Sequence, residues 1–215
     1  LIKHEVTKYN LDGTLPDLPK GHRVLVPGQV EDDASIEIGA GKINSNMKLL
    51  QAVRAARPNA VVIYKPHPDV EAGLRKGRIK SAETWADVVA EHANPAALID
   101  SVDEVWTMTS LLGFEALLRR VPVTCVGLPF YAGWGLTRDR LEAPHWRDAR
   151  PGILGLAHAA LIDYPRYFDP VSNLPCSPEV AVDRLIAGDL PAPGPMNRSL
   201  SKLQGLFASF APLWR

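Results

Sequence analysis

Cysteine is nearly missing from this sequence: two in 215 residues cannot build a disulfide framework. Cys125 lies in the apolar run Pro122–Val126 and Cys176 in a Pro-rich loop, so both are expected reduced, in a reducing compartment. No apolar run approaches the ~20 residues that cross a bilayer, which excludes a transmembrane segment. Charge of either sign is not in excess. Lys plus Arg and Asp plus Glu each number 24, so no net field points to nucleic acid or an acidic polymer as partner. There is no internal repeat. Neither G-x-G-x-x-G nor G-K-[ST] occurs, which removes support for dinucleotide and nucleoside-triphosphate binding; Gly39-Ala40-Gly41-Lys42 is too short a likeness to count. The start, Leu1-Ile2-Lys3-His4-Glu5, has neither an initiator Met nor the regions of a signal peptide, and reads like a piece of a longer polypeptide.

What is present is an ordinary globular composition, 46% hydrophobic and 22% charged, at a length that buries a core without disulfide or metal staples. Strand-like and helix-like segments alternate. Strands are expected at Arg23–Val26, Ala60–Tyr64, Ala97–Asp100, Glu104–Met108 and Val121–Val126. Helices are expected at Ser45–Arg57, Ser81–His92, Ser110–Arg120, around Ile153–Leu161, and from Ser177-Pro178-Glu179 to Ala187, where Ser caps and Pro takes the first helical position. Between Gly135 and Pro178 regularity otherwise falls away. The strands are continuously apolar, so both faces are covered. That predicts a Rossmann-like α/β fold, a parallel sheet with helices on each side. The expected organisation is a lead-in over residues 1–20, the α/β domain over 21–189, and a Pro-rich linker with an amphipathic helix over 190–215. In that last part Leu200, Leu203, Leu206, Phe207, Phe210 and Leu213 form a stripe.

Parallel sheets bind ligands beyond the carboxyl ends of their strands. Three stretches follow strand ends directly: Tyr64-Lys65-Pro66-His67-Pro68, Thr109-Ser110, and Gly127–Trp134. His67 stands between prolines that restrict its backbone, and an imidazole can donate to a phosphate oxygen and support a leaving group. A surface turn histidine is the bland alternative. Thr109-Ser110 opens a helix whose first amides and positive end suit one phosphate, beyond the ordinary capping role of Ser110. Glu115 follows among apolar neighbours, where a carboxylate can accept both hydroxyls of a ribose. Gln29-Val30-Glu31-Asp32-Asp33-Ala34-Ser35 gathers acids past the first strand. A phosphoacceptor reading fails because the late strand ends in Val126-Gly127-Leu128 with no lysine. The aromatic, glycine-rich loop Phe130–Thr137 fits either a close ligand approach or a plug over the sheet edge.

Lys8-Tyr9-Asn10, Gln29…Asp33-x-Ser35, Lys65-Pro66-His67-Pro68, Thr109-Ser110-Leu111-x-Gly113-Phe114-Glu115-Ala116 and Pro129-Phe130-Tyr131-Ala132-Gly133-Trp134-Gly135-Leu136-Thr137 occur in this order. Over residues 8–140 the chain thereby resembles capsular polysaccharide biosynthesis/export proteins of the KpsC (LipA) type, β-Kdo glycosyltransferases of Gram-negative bacteria. The resemblance implies the C-terminal, nucleotide-sugar-binding domain of a GT-B fold. The acceptor-binding N-terminal domain of the same polypeptide would be missing and this piece inactive alone. It implies CMP-Kdo as donor, a lipid-linked glycan as acceptor, no metal or cofactor, no nucleic acid, and a cytoplasmic site at the inner face of the membrane. Nucleotide binding would fall to Gln29, Lys65, His67, Thr109, Ser110, Glu115, Tyr131, Gly133 and Trp134. The retaining chemistry would use Asp33 as nucleophile, with Asp32 as the other choice, because Asp32 stands where relatives often have Gly. His67 would assist departure of the nucleotide. Lys65, Lys42 or Arg138 would offset the repulsion between the nucleophile and the Kdo carboxylate. Two other readings stay open: a sialyltransferase-like GT-B enzyme using another CMP-sugar, and a non-catalytic module for capsule export.

Overall fold

A computed structural model describes residues 2–4 and 13–189. The expected C-terminal helix, the linker before it and Lys8-Tyr9-Asn10 lie outside those residues. The described chain forms β1 (Arg23–Pro27), α1 (Ala34–Gly39), α2 (Asn46–Ala56), β2 (Val61–Lys65), α3 (Pro68–Glu71), β3 (Val88–Val89), α4 (Pro95–Asp100), β4 (Glu104–Thr107), α5 (Leu111–Leu118), β5 (Val123–Cys125), β6 (Arg138–Asp139), α6 (Gly152–His158), a hairpin of β7 (Tyr167–Asp169) and β8 (Leu174–Cys176), and α7 (Pro178–Ala187).

Six strands make one parallel sheet in the order β3-β2-β1-β4-β5-β6, with helices on both faces: a Rossmann-like α/β fold. Alternation along each strand divides the core in two. Val24, Val26, Val62, Tyr64 and Trp106 pack toward Leu49, Leu50 and Val53 of α2. Leu25, Ile63, Val105, Val123 and Cys125 pack toward Phe114, Ala116 and Leu117 of α5. Strands with apolar residues at every position are what such a two-sided core requires. Chain direction out of β1 runs first to β2 and β3, then back across to β4, β5 and β6. The switch point between β1 and β4 therefore opens a crevice at the carboxyl ends.

Two expected elements differ. The helix over Ser81–His92 is instead a short 3₁₀ turn, Ala82–Thr84, and the edge strand β3. The Asp87 carboxylate accepts from the Val62 amide and from Arg54, both at 2.7 Å, and this pulls the chain into line with the sheet. The strand over Ala97–Asp100 is helix α4, because Asn94 caps it by accepting from the amides of Ala96 and Ala97, and Pro95 takes the first position. Between Gly135 and Pro178 the chain is more regular than expected. It adds β6 and the hairpin, and the two carboxylate oxygens of Asp169 bind Arg184 and so dock α7.

Candidate functional site

A cavity of about 410 Å³ lies beyond the ends of β1, β2 and β4, at the switch point. Its lining includes Gln29, Asp33, Lys65, His67, Thr109, Ser110, Glu115 and Phe130. Three strand ends far apart in sequence thus meet at one rim.

His67 caps α3, and its Nδ1 accepts from the Asp69 amide at 3.2 Å. A neutral ring with an accepting Nδ1 carries its proton on Nε2. The side chain is 14% exposed, so the prolines and the cap hold it in a nearly buried position at the wall. Ser110 caps α5: its Oγ accepts from the Leu112 amide at 3.2 Å, and its O–H remains a donor. Leu111 also lines the cavity, so the positive end of an eight-residue helix faces it. Glu115, half-buried on the next turn of α5, completes that wall.

Gln29 is buried and joins the segments together. Its Nε2 donates to Thr109 Oγ1 at 2.8 Å, while its Oε1 accepts from the Thr109 amide at 2.9 Å and from Thr107 Oγ1 at 3.3 Å. Its own amide donates to Asn46 Oδ1, and Asn46 Nδ2 donates back to the Gln29 carbonyl, both at 2.8 Å. Asn46 Nδ2 also donates to the Gly77 carbonyl, and the Asn46 backbone amide donates to the Glu31 carboxylate. The buried Asn46 side-chain amide, its oxygen accepting and both N–H groups donating, fixes the rim. Asn46 was not legible from sequence; a buried polar residue at the first position of a helix gives no pattern.

Asp33 lines the cavity and caps α1, accepting from the Ser35 amide at 2.9 Å. Asp32 does not line it. Its carboxylate meets Arg75 at 3.0 Å, each side chain 25% exposed. Lys65 lines the cavity, but its Nζ donates to the Pro66 carbonyl and to Glu71, 3.0 Å each, with Lys65 4% and Glu71 7% exposed. Its charge is therefore spent inside the protein. Lys42 is exposed and outside the cavity, and Arg138 pairs with Glu104 at the opposite end of the sheet, 3.6 Å away. Arg75, which no motif announced, is the other cation of the lining.

Three expected nucleotide contacts do not line this cavity. Tyr131 is fully buried, and its hydroxyl donates to the Ser110 carbonyl; the missing Cβ of Gly113 leaves room for that ring. Gly133, at φ 85°, donates its amide to Asp139. Trp134 donates to the Phe130 carbonyl at 2.7 Å and packs near Trp146 and Arg147. These residues brace Phe130, whose ring stands 5.1 Å from Phe114 and 5.2 Å from Tyr131. Burial, then the neighbouring Asp139 charge, raises the Cys125 thiol to about 12, so it is an inert core residue.

No group of three or more His, Cys, Asp or Glu side chains gathers to hold a metal ion among the described residues. Nor is any described helix long and apolar enough to cross a membrane.

A family model described as capsule polysaccharide biosynthesis protein matches residues 4–167. The capsule polysaccharide modification protein LipA of Neisseria meningitidis serogroup B is 48% identical over 191 residues, covering 86% of this chain and 27% of that protein. The lipopolysaccharide-processing protein LpsZ of Rhizobium meliloti is 45% identical over 181 residues, covering 81% of this chain and 40% of LpsZ. Among solved structures, the beta Kdo 2,7 transferase of Thermosulfurimonas dismutans KpsC superposes with a TM-score of 0.72 at 38% identity, covering 80% of this chain and 56% of that one. The beta Kdo 2,4 transferase of the same KpsC gives 0.77 at 33% identity, covering 86% and 59%. The chain thus spans 27% to 40% of the curated relatives' length and little over half of each solved transferase.

Proposed function

This chain belongs to the capsule polysaccharide biosynthesis protein family, and on that premise we propose that it is the donor-binding half of a retaining β-Kdo glycosyltransferase that uses CMP-Kdo. The observation that carries the reading is the meeting of His67, Ser110 and Glu115 at one cavity. Two solved relatives whose titles name Kdo transferases support it. A single phosphodiester needs modest neutralisation, and the Nε2 proton of His67, the Ser110 hydroxyl and the first amides of α5 supply donors for it. Glu115 accepts from the ribose hydroxyls.

Asp33 is assigned as nucleophile, because it faces the cavity while Asp32 is turned to Arg75. Its carboxylate attacks the anomeric carbon. The bond to the phosphate oxygen breaks, CMP leaves with that electron pair, and His67 steadies the charge that develops. An acceptor hydroxyl then displaces Asp33 from the sugar and passes its proton to water, so the carboxylate is restored and configuration retained. The reaction builds the Kdo linker of a capsular polysaccharide on a lipid-linked acceptor. Acceptor binding is assigned to a facing domain of the same polypeptide, at the inner surface of the cytoplasmic membrane. No metal or other cofactor enters this scheme.

Calorimetric titration with CMP tests the reading. Saturable binding that His67→Ala weakens at least tenfold is expected; a chain indifferent to CMP has another function.

A further inference from the structure

The lining of the cavity is poor in available positive charge. Asp33, Asp69 and Glu115 contribute carboxylates, whereas Lys65 and Arg75 are its lysine and arginine. The Lys65 ammonium is buried against Glu71. Arg75 differs in two respects. Its guanidinium gives one N–H to Asp32, at 3.0 Å, and that is its side-chain partner among the described residues; four N–H groups remain for something else. Its backbone is also anchored to the far side of the rim. The Arg75 amide donates to the Asp69 carbonyl, the Glu31 amide donates to the Lys76 carbonyl, and Asn46 Nδ2 donates to the Gly77 carbonyl. A Cβ at Gly77 (φ 131°) would collide with the Gln29 carbonyl, so this segment lies flat on the β1 loop.

We infer that Arg75 is a specificity-determining residue of this site, the cation that receives a carboxylate carried on the donor sugar. This rests on the reading above, in which the donor sugar is acidic at its reacting carbon. Arg75 holds Asp32, the residue next to Asp33, and so sits at the acid end of the cavity, where the anomeric carbon must come. His67 and the start of α5 stand on the walls built by β2 and β4. A guanidinium fork there binds a carboxylate in two parallel bonds and offsets the like charge that the nucleophile must approach. Asp32 serves as its counter-ion and keeps the fork aimed while the site is empty.

The test titrates the full chain with CMP and with CMP-Kdo, for the parent sequence, Arg75→Gln and Arg75→Lys. Arg75→Gln is expected to bind CMP within about twofold of the parent and CMP-Kdo at least tenfold more weakly. Arg75→Lys should recover part of that loss, since it restores charge without the fork. A simple folding defect would weaken both probes together. Unchanged CMP-Kdo affinity in Arg75→Gln overturns the assignment, and so does an equal loss for CMP, which would place the arginine on the phosphate. If the parent binds neither probe, the donor reading fails first and the assignment with it.

Discussion

Gln29 and Thr109 exchange two hydrogen bonds across 80 positions of sequence, one through each end of the Gln29 side-chain amide. That pair ties the loop after β1 to the start of α5, and with it the Asp33 side of the cavity to the Ser110 side. Gln29→Ala leaves the Thr109 amide and Thr107 hydroxyl without their partner. It is expected to cost about 2 kcal/mol of stability and to weaken CMP binding, as read by urea unfolding and calorimetry. Gln29→Glu keeps the acceptor and should cost less.

Asp33 lines the cavity while Asp32 pairs with Arg75, and the proposed function gives them different roles. Asp33→Asn in the full-length enzyme should abolish Kdo transfer, a fall of at least about a thousandfold, while CMP still binds. Asp32→Asn releases Arg75 and should leave measurable turnover. Transfer assays with both variants check this, and normal turnover in Asp33→Asn would remove it from the chemistry.

Lys65 and Glu71 form a buried pair whose separation is more damaging than its joint replacement. Among the described residues, Lys65→Ala leaves the Glu71 carboxylate with only His92, through its amide and its exposed ring, both at 3.3 Å, and should destabilise the chain by about 3 kcal/mol, whereas Lys65→Met with Glu71→Leu should recover part of that. Thermal unfolding of the three variants measures it.

Glu104 sets an acid limit on stability. Burial alone would raise its pKa, but hydrogen bonds from Arg57, His22 and Trp106 outweigh this and hold it below its ordinary 4.5. A depressed carboxylate stabilises the fold above its unfolded value, and that contribution is lost as pH falls through the folded value. Glu104→Gln should therefore lower stability at pH 7 and narrow its gap to the parent below about pH 4.5, in denaturant titrations at several pH values.

The sheet was legible because its strands are apolar throughout and its helices carry caps: Ser45 and Ser110 begin their helices where expected. Asn94-Pro95 was overlooked as a cap, and Asp87 drew a helix-like stretch into an edge strand through contacts 25 and 33 residues away, which local periodicity does not encode. The same holds at the site. His67, Ser110 and Glu115 follow strand ends and could be placed by topology. Arg75 lies in an unpatterned loop and is held at the cavity by its bond to Asp32 and by the neighbouring Lys76 carbonyl, which accepts from the Glu31 amide. Composition left the Phe130–Thr137 loop open between a ligand contact and a plug over the sheet edge; the resemblance put Tyr131, Gly133 and Trp134 among the nucleotide contacts, and none of the three lines the cavity.

A crystal structure of this chain with CMP bears most directly on the central assignment. The phosphate is expected within hydrogen-bonding distance of His67 Nε2 and the Ser110 hydroxyl, with the ribose on Glu115. Nucleotide found elsewhere on the molecule, or a crystal that takes up none at saturating CMP, would contradict it.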